Sequence, residues 1–453
     1  MFRARPFLLI PILLSASNIR FKARRLPLFF LNVSLIFSTA QADSLAEVVA
    51  SVIEENPRVR SWESAVEAAT AELDLARAAS LPQFSLRLSS GEEVANTPLS
   101  RSTLGGDSTE YSDQGSLVLT QNLFNGYKNV NSRKSAMAAK EANEQSAQMS
   151  REALALDVAN YYLDVLQYEA LALITQQSAQ QHEVLAQRIR DRNQNNVSSS
   201  TDLSLAQSRV YLVNARRLEF EGLLSAARGR YREYLGLEPA DLQLPSPRNL
   251  ATELDAGTLV ERIRNSNPQV QASYHNYENF RFLSEASKSR FYPRIDLEIS
   301  GNYRNQSARQ SLIQQGGREA DSYIGLRVSY DIYMGGANRA TRQRTFHQSE
   351  QARFDWLETV SSVSSETLSL LDSIRGTEAA LAQQRQYLLQ LTAVSQAYQE
   401  QFDVNLRAAL NLLDQEVELY RAQIDTVNME FDLLRMMYRL AYNSGQLLDV
   451  IHE

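Results

Sequence analysis

The chain contains two similar halves, separated by about 210 residues. An Asn-Pro pair followed 25 positions later by another proline occurs at Asn56-Pro57 and again at Asn267-Pro268. The segments 119–126 and 328–335, which both end in glycine, align at an offset of 209 residues, against 211 residues at the prolines. An offset this constant indicates duplication of a whole structural unit. We therefore expect two structural repeats with the same order of elements, at residues 43–250 and 251–453.

The first 42 residues differ from the rest of the chain. They carry six basic residues and no acidic one, and an apolar run at 26–37 precedes the small-residue sequence Ala40-Gln41-Ala42. This order is typical of a secretory signal peptide. We expect a signal peptide at residues 1–42; an uncleaved anchor or a misassigned start codon are the alternatives.

The predicted mature chain is acidic and has no cysteine. Of the 46 basic residues, 40 remain after residue 42, against 53 acidic residues. This balance disfavours nucleic acid as a partner, because phosphate binding needs a basic face. The absence of cysteine excludes disulfides and a lipid anchor on an N-terminal cysteine. No run of 18 or more apolar residues follows residue 42, so any membrane span would have to use strands.

Each repeat is predicted to begin with two helices and a pair of strands. Ser44 and Thr258 each precede a glutamate by three positions, which predicts a capping box at the start of a helix. The Asn-Pro pairs end these helices, because proline disfavours a helical residue before it. Further on, apolar and polar residues alternate, which is typical of strands. The predicted ranges are second helices at 58–80 and 269–290, strand pairs at about 84–124 and 295–333, and polar loops at 91–114 and 301–322.

Each repeat then continues into a long helical segment. Glycine and proline are absent from residues 128–221, and residues 337–444 contain only Gly376. A helix from 128 to 192 would be about 100 Å long and must pack against other helices along its length. Polar stretches at the equivalent places 193–202 and 402–411 interrupt these segments, which predicts two helical hairpins. An apolar stripe for packing is formed by Leu154, Val158, Tyr161, Tyr162, Val165 and Leu166.

The doubled pattern resembles the TolC family of bacterial outer-membrane exit ducts over essentially the whole mature chain. The resemblance rests on the spaced prolines, on Leu-Thr-Gln-Asn-Leu-Phe-Asn-Gly at 119–126 and on Tyr-Asp-Ile-Tyr-Met-Gly-Gly-Ala-Asn at 330–338. It implies a mixed, mainly α-helical fold in which each protomer of a homotrimer gives four strands to one shared β-barrel in the outer membrane. Long helical hairpins then form a tunnel through the periplasm. The implied partners are a periplasmic adaptor protein and an inner-membrane ABC or proton-driven transporter.

The residues themselves also require oligomerisation. Four strands cannot close a membrane barrel, since the smallest barrels have about eight strands, and open strand edges are not tolerated in lipid. Four tyrosines flank the predicted strands and are candidates for the aromatic girdle of such a barrel: Tyr111, Tyr292, Tyr303 and Tyr323.

The resemblance implies a gate at the periplasmic helix turns. A Thr-Asp pair of the first hairpin there meets an arginine of the second hairpin, and the matching residues here are Thr201, Asp202 and Arg407. The simpler alternatives are a helix N-cap for Asp202 and a solvated turn residue for Arg407. An aromatic partner falls on Phe402, which lacks the family's hydroxyl group. Two inward acidic positions fall on Asn411, which is uncharged, and on Asp414. The tip turns that contact the adaptor contain Asn196, Val197, Asn405 and Leu406, with asparagine in place of the family's glycine.

Residue patterns for catalysis or cofactor binding are missing. The four histidines, His182, His275, His347 and His452, lack the spacing of metal ligands, and no catalytic or phosphate-loop motif is present. We therefore expect no enzyme activity, no cofactor and no metal. The leading hypothesis is a passive, gated outer-membrane channel of a tripartite efflux pump or a type I secretion system. The alternative is a soluble periplasmic scaffold of helical hairpins without a pore.

Overall fold

A computed structural model describes most of the chain after the predicted signal peptide. The signal peptide predicted at 1–42 and two of the predicted tip residues, Asn196 and Asn405, lie outside the described residues. The described ranges are 44–95, 108–195, 197–253, 255–307, 318–404 and 406–452.

Helices dominate the described chain, and one antiparallel sheet accompanies them. The helices are α1 (Leu45–Glu55), α2 (Pro57–Ala78), α3 (Lys128–Gln194), α4 (Ser200–Leu235), α5 (Leu250–Glu253), α6 (Ala256–Ser266), α7 (Pro268–Ser287), α8 (Ala337–Asp403), α9 (Ala409–Asn443) and α10 (Leu447–His452). The strands are β1 (Gln83–Ala95), β2 (Ser108–Phe124), β3 (Arg294–Ser307) and β4 (Arg318–Ser329). Two helices, two strands, a long helix and a shorter helix follow one another both in α1–α4 and in α6–α9. Among the described residues, no helix combines the length and the apolar content needed to cross a membrane.

The helix caps confirm one predicted capping box and correct the other. The Glu47 amide donates to Ser44 Oγ at 3.3 Å, and the Ser44 amide donates to Glu47 Oε2 at 3.1 Å. The predicted box at Thr258 is wrong, because α6 begins earlier: Asp255 is its N-cap and accepts from the Thr258 amide. Asn56 ends α1 as predicted, and its side chain also caps α2.

The long helices α3 and α8 each contain 67 residues, which corresponds to a length of about 100 Å. Their first residues, Lys128 and Ala337, are equivalent positions of the two repeats, and so are their last residues, Gln194 and Asp403. Gly336, which directly precedes α8, is in the left-handed region with φ of 87°, and α3 follows Gly126 and Tyr127, which are both left-handed with φ of 63° and 64°. The predicted hairpins are confirmed: α4 packs along α3, and α9 packs along α8.

Gly126 is the more constrained of these two glycines. A Cβ atom there would lie 2.8 Å from Ser289 Cα and 2.8 Å from Tyr292 Cβ, whereas a Cβ atom at Gly336 would meet nothing within 4 Å. We expect Gly126→Ala to lower the free energy of unfolding by about 2–4 kcal/mol, from left-handed strain and overpacking. Gly336→Ala should cost only the strain, about 1–2 kcal/mol. Urea unfolding in detergent measures the loss of stability in each variant. Equal losses in the two variants would contradict the argument that a Cβ atom at Gly126 is overpacked.

The sheet runs in the order β1-β2-β3-β4, so the pairing of β2 with β3 joins the two halves. Directly opposed residues form rows across the sheet, and one face carries rows of apolar side chains. The central row is Phe84, Leu119, Ile299 and Ile324. The other face is polar, with an Arg327–Glu298 ion pair at 2.6 Å and a hydrogen bond from Asn302 to Asp321 at 2.8 Å.

The apolar face has the height of a membrane. It extends from the row of Ile295 and Val328 to the row of Leu88 and Tyr303, which are eight residues apart along β3. At about 3.3–3.4 Å per residue this distance is about 27 Å along the strand. Lipid-facing bands of outer-membrane barrels are about 25 Å tall, so the strands are long enough to span.

The strands extend beyond the predicted boundaries. The predicted polar loops at 91–114 and 301–322 are strand wherever the structure describes them, because β1 continues to Ala95, β2 begins at Ser108, β3 continues to Ser307 and β4 begins at Arg318. Beyond the apolar rows most side chains on both faces are polar, so the regular apolar alternation that indicated strands is lost although the backbone pairing continues. The second strand pair also ends earlier than predicted, at Ser329 rather than near 333.

The predicted aromatic girdle is partly wrong. The register places Tyr111 and Tyr303 on the apolar face, but Tyr323 opposes Ser300 on the polar face. Tyr292 lies just before β3, beside Phe124, with the ring centroids 6.5 Å apart. The position of a tyrosine near a strand end does not determine on which face of the sheet its side chain lies, because a shift of one residue along a strand moves the side chain to the other face.

Two apolar cores hold the helices together. The larger core includes most of the predicted stripe on α3, with Leu154, Val158, Tyr162 and Val165 buried and Tyr161 and Leu166 packed against it. A smaller core lies near the helix turns and comprises Leu185, Ala186, Ile189, Ala206, Phe402, Ala409, Leu412 and Leu413.

Candidate gate at the helical turns

The turns of the two hairpins share one backbone pattern. The Val197 amide donates to the Arg192 carbonyl at 2.8 Å, and at the equivalent place in the second hairpin the Leu406 amide donates to the Gln401 carbonyl at 2.8 Å. Such a bond back over five residues is the outer bond of a helix C-cap motif. Both turns expose an apolar tip residue: Val197 is 61% and Leu406 is 79% exposed.

Asp202 stabilises the start of its own helix. It is the third residue of α4 in a capping box whose N-cap is Ser199, so the alternative that Asp202 is the N-cap is wrong. The Asp202 amide donates to Ser199 Oγ at 3.0 Å, and the Ser199 amide donates to Asp202 Oδ2 at 3.2 Å. The neighbouring Thr201 is exposed.

Arg407 is held by its own hairpin. Its Nε donates to Gln401 Oε1 at 3.1 Å, and its guanidinium lies 3.8 Å from the centroid of the Tyr398 ring. Arg407 is half-buried rather than a solvated turn residue. Within the described part of one chain, no hydrogen bond or ion pair joins Arg407 to Thr201 or Asp202. The arrangement expected from the family resemblance is therefore not formed inside a single protomer.

Phe402 is a core residue of the smaller apolar cluster, with 3% of its surface exposed. The Arg192 guanidinium lies 4.2 Å from its ring centroid, and Arg192 Nη1 donates to the Phe402 carbonyl at 2.9 Å. Phe402 thus contributes an apolar side chain to the core and a backbone carbonyl that binds Arg192.

Near the helical turns, two ion pairs of the described chain also cross from the first hairpin to the second. Arg188 pairs with Asp403 at 3.2 Å, and Arg209 pairs with Asp414 at 3.1 Å. The carboxylate of Asp414 is therefore compensated by a cation, whereas Asn411 is exposed and neutral. Exposed pairs of this kind contribute about 0–1 kcal/mol each.

Sequence reasoning missed Arg188, Arg192 and Arg209, which make these links. A signal was available, because the constant offset between the two halves makes 193 and 402 equivalent positions of the two hairpins. This equivalence could have predicted that basic residues just before 193 on α3 lie close to carboxylates and backbone carbonyls near 402 on α8.

The strength of the Arg209–Asp414 pair can be measured by a double-mutant cycle. We expect a coupling of about 0.2–1 kcal/mol between Arg209→Ala and Asp414→Ala, because the pair is partly exposed and screened by salt. Urea unfolding of the wild type, both single variants and the double variant gives this value. Strictly additive losses would show that the pair adds no stability.

Known proteins match the chain in sequence and in fold. The sequence model described as "Outer membrane efflux protein" matches residues 48–237 and 259–445. The chain belongs to this family, the TolC family. The resemblance noted from the sequence is thereby confirmed.

Relatives and solved structures agree with this assignment. The chain is 24% identical to outer membrane protein TolC of Vibrio cholerae over 93% of this chain and 95% of that protein. It is 23% identical to the alkaline protease secretion protein AprF of Pseudomonas aeruginosa over 87% of this chain and 83% of that protein. The fold matches the outer membrane protein VceC of Vibrio cholerae with a TM-score of 0.75 at 16% identity, covering 88% of this chain and 96% of VceC.

The family establishes the class and location of the protein. It is an exit channel of the outer membrane of Gram-negative bacteria, extends into the periplasm and serves efflux or secretion systems. The predicted mainly helical fold with four strands per protomer is confirmed. The relatives imply a trimer that works with an adaptor and an inner-membrane transporter.

Proposed function

We propose that three copies of this chain form a passive channel that is gated at its helical turns. The observation that carries this proposal is the sheet, which has one apolar face of membrane height and only one pairing partner each for β1 and β4 in the described chain. β1 of one protomer then pairs with β4 of the next, so that no strand edge meets lipid. The polar face, with its Arg327–Glu298 pair, lines the pore.

We propose that the gate combines links within and between protomers. Arg188–Asp403 and Arg209–Asp414 hold the two hairpins of one chain together. Thr201 and Asp202 of one protomer face Arg407 of a neighbouring protomer across the closed aperture, and Asn411 and Asp414 face the channel axis. Phe402 supports this arrangement from the apolar core of its own hairpins. Each exposed pair contributes up to about 1 kcal/mol, so three symmetric copies bias the closed state by a few kcal/mol. A partner that binds the open state can supply that amount.

We propose that a periplasmic adaptor binds the turns through their apolar tips. Val197 and Leu406 are large apolar side chains left exposed at equivalent positions of the two turns, next to Asn196 and Asn405. A trimer would present six such tips, a repeated apolar surface that suits helical hairpins of a partner. The energy for transport comes from the inner-membrane transporter, either an ABC protein of type I secretion or a proton-driven efflux pump. Genes next to this one for one or the other transporter distinguish the two systems.

Detergent dependence and conductance test the channel itself. We expect the purified protein to be trimeric in detergent and to give discrete conductance steps in planar bilayers. The alternative, a soluble periplasmic scaffold, predicts a monodisperse monomer in water without surfactant and no steps.

The gate is tested by Arg407→Ser. The serine removes the cation proposed to face Thr201 and Asp202 of the neighbouring protomer, and it also loses the hydrogen bond to Gln401 and the stacking on Tyr398 that hold Arg407 in place. We therefore expect a higher single-channel conductance. Arg421→Ser is the matched control, because Arg421 is exposed on α9 and lies several helical turns beyond the start of that helix. Unchanged conductance in Arg407→Ser would remove Arg407 from the gate while leaving the channel proposal intact.

A further inference from the structure

Three potential metal ligands meet between α3 and α7, far along the chain from the helical turns. Nδ1 of His275 lies 3.1 Å from Glu141 Oε2 and 3.8 Å from Glu278 Oε2. All three side chains are partly buried, and the His275 side chain is 18% exposed. From the sequence alone His275 was expected to be isolated, but the packing of α7 on α3 brings the distant Glu141 into contact with it.

The spacing of these atoms fits a tetrahedral metal ion. Two ligands at about 2.1 Å from a tetrahedral Zn²⁺ are separated by about 3.4 Å, and the distances from His275 Nδ1 to the two glutamates, 3.1 and 3.8 Å, lie on either side of that value. One ligand atom from each of the three residues lies within 4.8 Å of the others. His275 and Glu278 are three positions apart on α7, which places them on the same face of the helix.

The His275 nitrogen lacks a conventional partner. Nδ1 is buried and makes no hydrogen bond of acceptable geometry within the described chain, although Glu141 Oε2 is only 3.1 Å away. A buried polar atom without a hydrogen bond is costly. A cation between the imidazole lone pair and the two carboxylates would satisfy all three groups at once.

A neighbouring arginine orients one of these carboxylates. Arg281 Nη2 donates to Glu278 Oε1 at 2.9 Å, which leaves Oε2 facing His275. Outer contacts of this kind are typical of metal sites, where they fix the orientation of a ligand. Arg281 offsets one of the two carboxylate charges, and the other remains for a cation.

We propose that Glu141, His275 and Glu278 bind a divalent transition-metal ion of the zinc class, with a fourth position open to water. One nitrogen and two carboxylate oxygens form a donor set that Zn²⁺ accepts. The bound ion links α3 of the first half to α7 of the second half and stabilises their packing, because it binds the folded state and not the separated helices. The site is independent of the gate and of what the channel transports.

Zinc binding to the detergent-solubilised trimer tests this proposal. After treatment with a chelator and its removal, equilibrium dialysis against ZnCl2 should give about one high-affinity Zn²⁺ per protomer, and the thermal midpoint should rise with Zn²⁺. His275→Gln and Glu141→Gln should each abolish that binding, and Arg281→Gln should weaken it by about tenfold or more. Co²⁺ gives a spectroscopic readout, since tetrahedral coordination by His275 produces visible absorption that the His275→Gln variant should lack.

Two matched variants control for adventitious binding. His347 is exposed on α8, and Glu144 pairs with Lys140 one helical turn from Glu141; His347→Gln and Glu144→Gln should both keep the zinc stoichiometry and the thermal shift. The proposal is overturned if the wild type binds no more zinc than Glu141→Gln, or if His347→Gln reduces binding as much as His275→Gln. If His275→Gln does not assemble into trimers, zinc binding by Glu141→Gln and the Co²⁺ spectrum of the wild type still test the proposal.

Discussion

Replacing Ile299 with arginine should prevent stable insertion into the outer membrane, whereas replacing the adjacent Ser300 with arginine should not. Ile299 lies in the central apolar row of the sheet, opposite Leu119 and Ile324. Arginine on the lipid face at the midplane costs about 2–4 kcal/mol per protomer, so three symmetric copies cost about 6–12 kcal/mol. Ser300 lies on the polar face, opposite Val118 and Tyr323, where an added cation meets water.

Membrane fractionation and gel electrophoresis of the unboiled trimer measure this effect. We expect Ile299→Arg to be lost from the outer-membrane fraction or to leave it as monomer, and Ser300→Arg to remain trimeric with an altered ion selectivity. Normal trimer yield for Ile299→Arg would contradict the assignment of this face to lipid. Equal loss of both variants would instead indicate that the strand tolerates no arginine on either face.

The second large effect concerns Glu152, a buried carboxyl on α3. Only 3% of this residue is exposed. Burial raises the pKa of its carboxyl from 4.5 to about 7, with a further increase from the charge of Asp449, against a hydrogen bond from Gln148 that lowers it. A carboxyl whose pKa is raised on folding favours the native state when protonated. Its contribution to stability is therefore greatest below about pH 4.5 and is lost as the pH rises from there through about 7.

The size of this effect follows from the change in the pKa on folding. A rise from 4.5 to about 7 corresponds to about 3 kcal/mol per protomer between acidic and mildly alkaline solution. We expect Glu152→Gln to raise the thermal midpoint at pH 8 and to flatten the pH dependence between 5 and 8. Glu144→Gln is the control, because Glu144 is exposed and paired with Lys140. An equal shift of the thermal midpoint of Glu152→Gln at pH 5 and at pH 8 would show that the charge of Glu152 does not cause the pH dependence.

Much of the fold was predictable because the determining signals are local and occur twice. The Asn-Pro pairs predicted the ends of α1 and α6. The absence of proline, with no glycine in α3 and only Gly376 in α8, predicted the two long helices. The strand ends were less predictable. Where the strands extend beyond the apolar rows, most residues on both faces are polar, so apolar and polar residues do not alternate there. Thr258 was taken for a cap because its spacing to Glu261 fits a capping box, but Asp255 caps the helix one turn earlier.

The side-chain contacts at the helical turns were harder to predict from the sequence than the fold. Their location followed from the interruptions at 193–202 and 402–411, which depend on nearby residues only. The partners of each side chain depend on how two separate hairpins pack, so Arg209 was missed as the partner of Asp414. The same limit hid the contact of His275 with Glu141, since only the packing of α7 on α3 brings them together.

The equal lengths of α3 and α8 restrict how this protein can change in evolution. Both helices start from the base of the sheet and have the same number of residues, so their far ends reach the same depth. In a trimer, an insertion into only one of these helices would place the three turns that follow α3 at a different depth from the three turns that follow α8. The mouth of the pore would then be uneven. Changes in the reach of the duct across the periplasm therefore require compensating insertions in both halves of the gene, together with the returning helices α4 and α9.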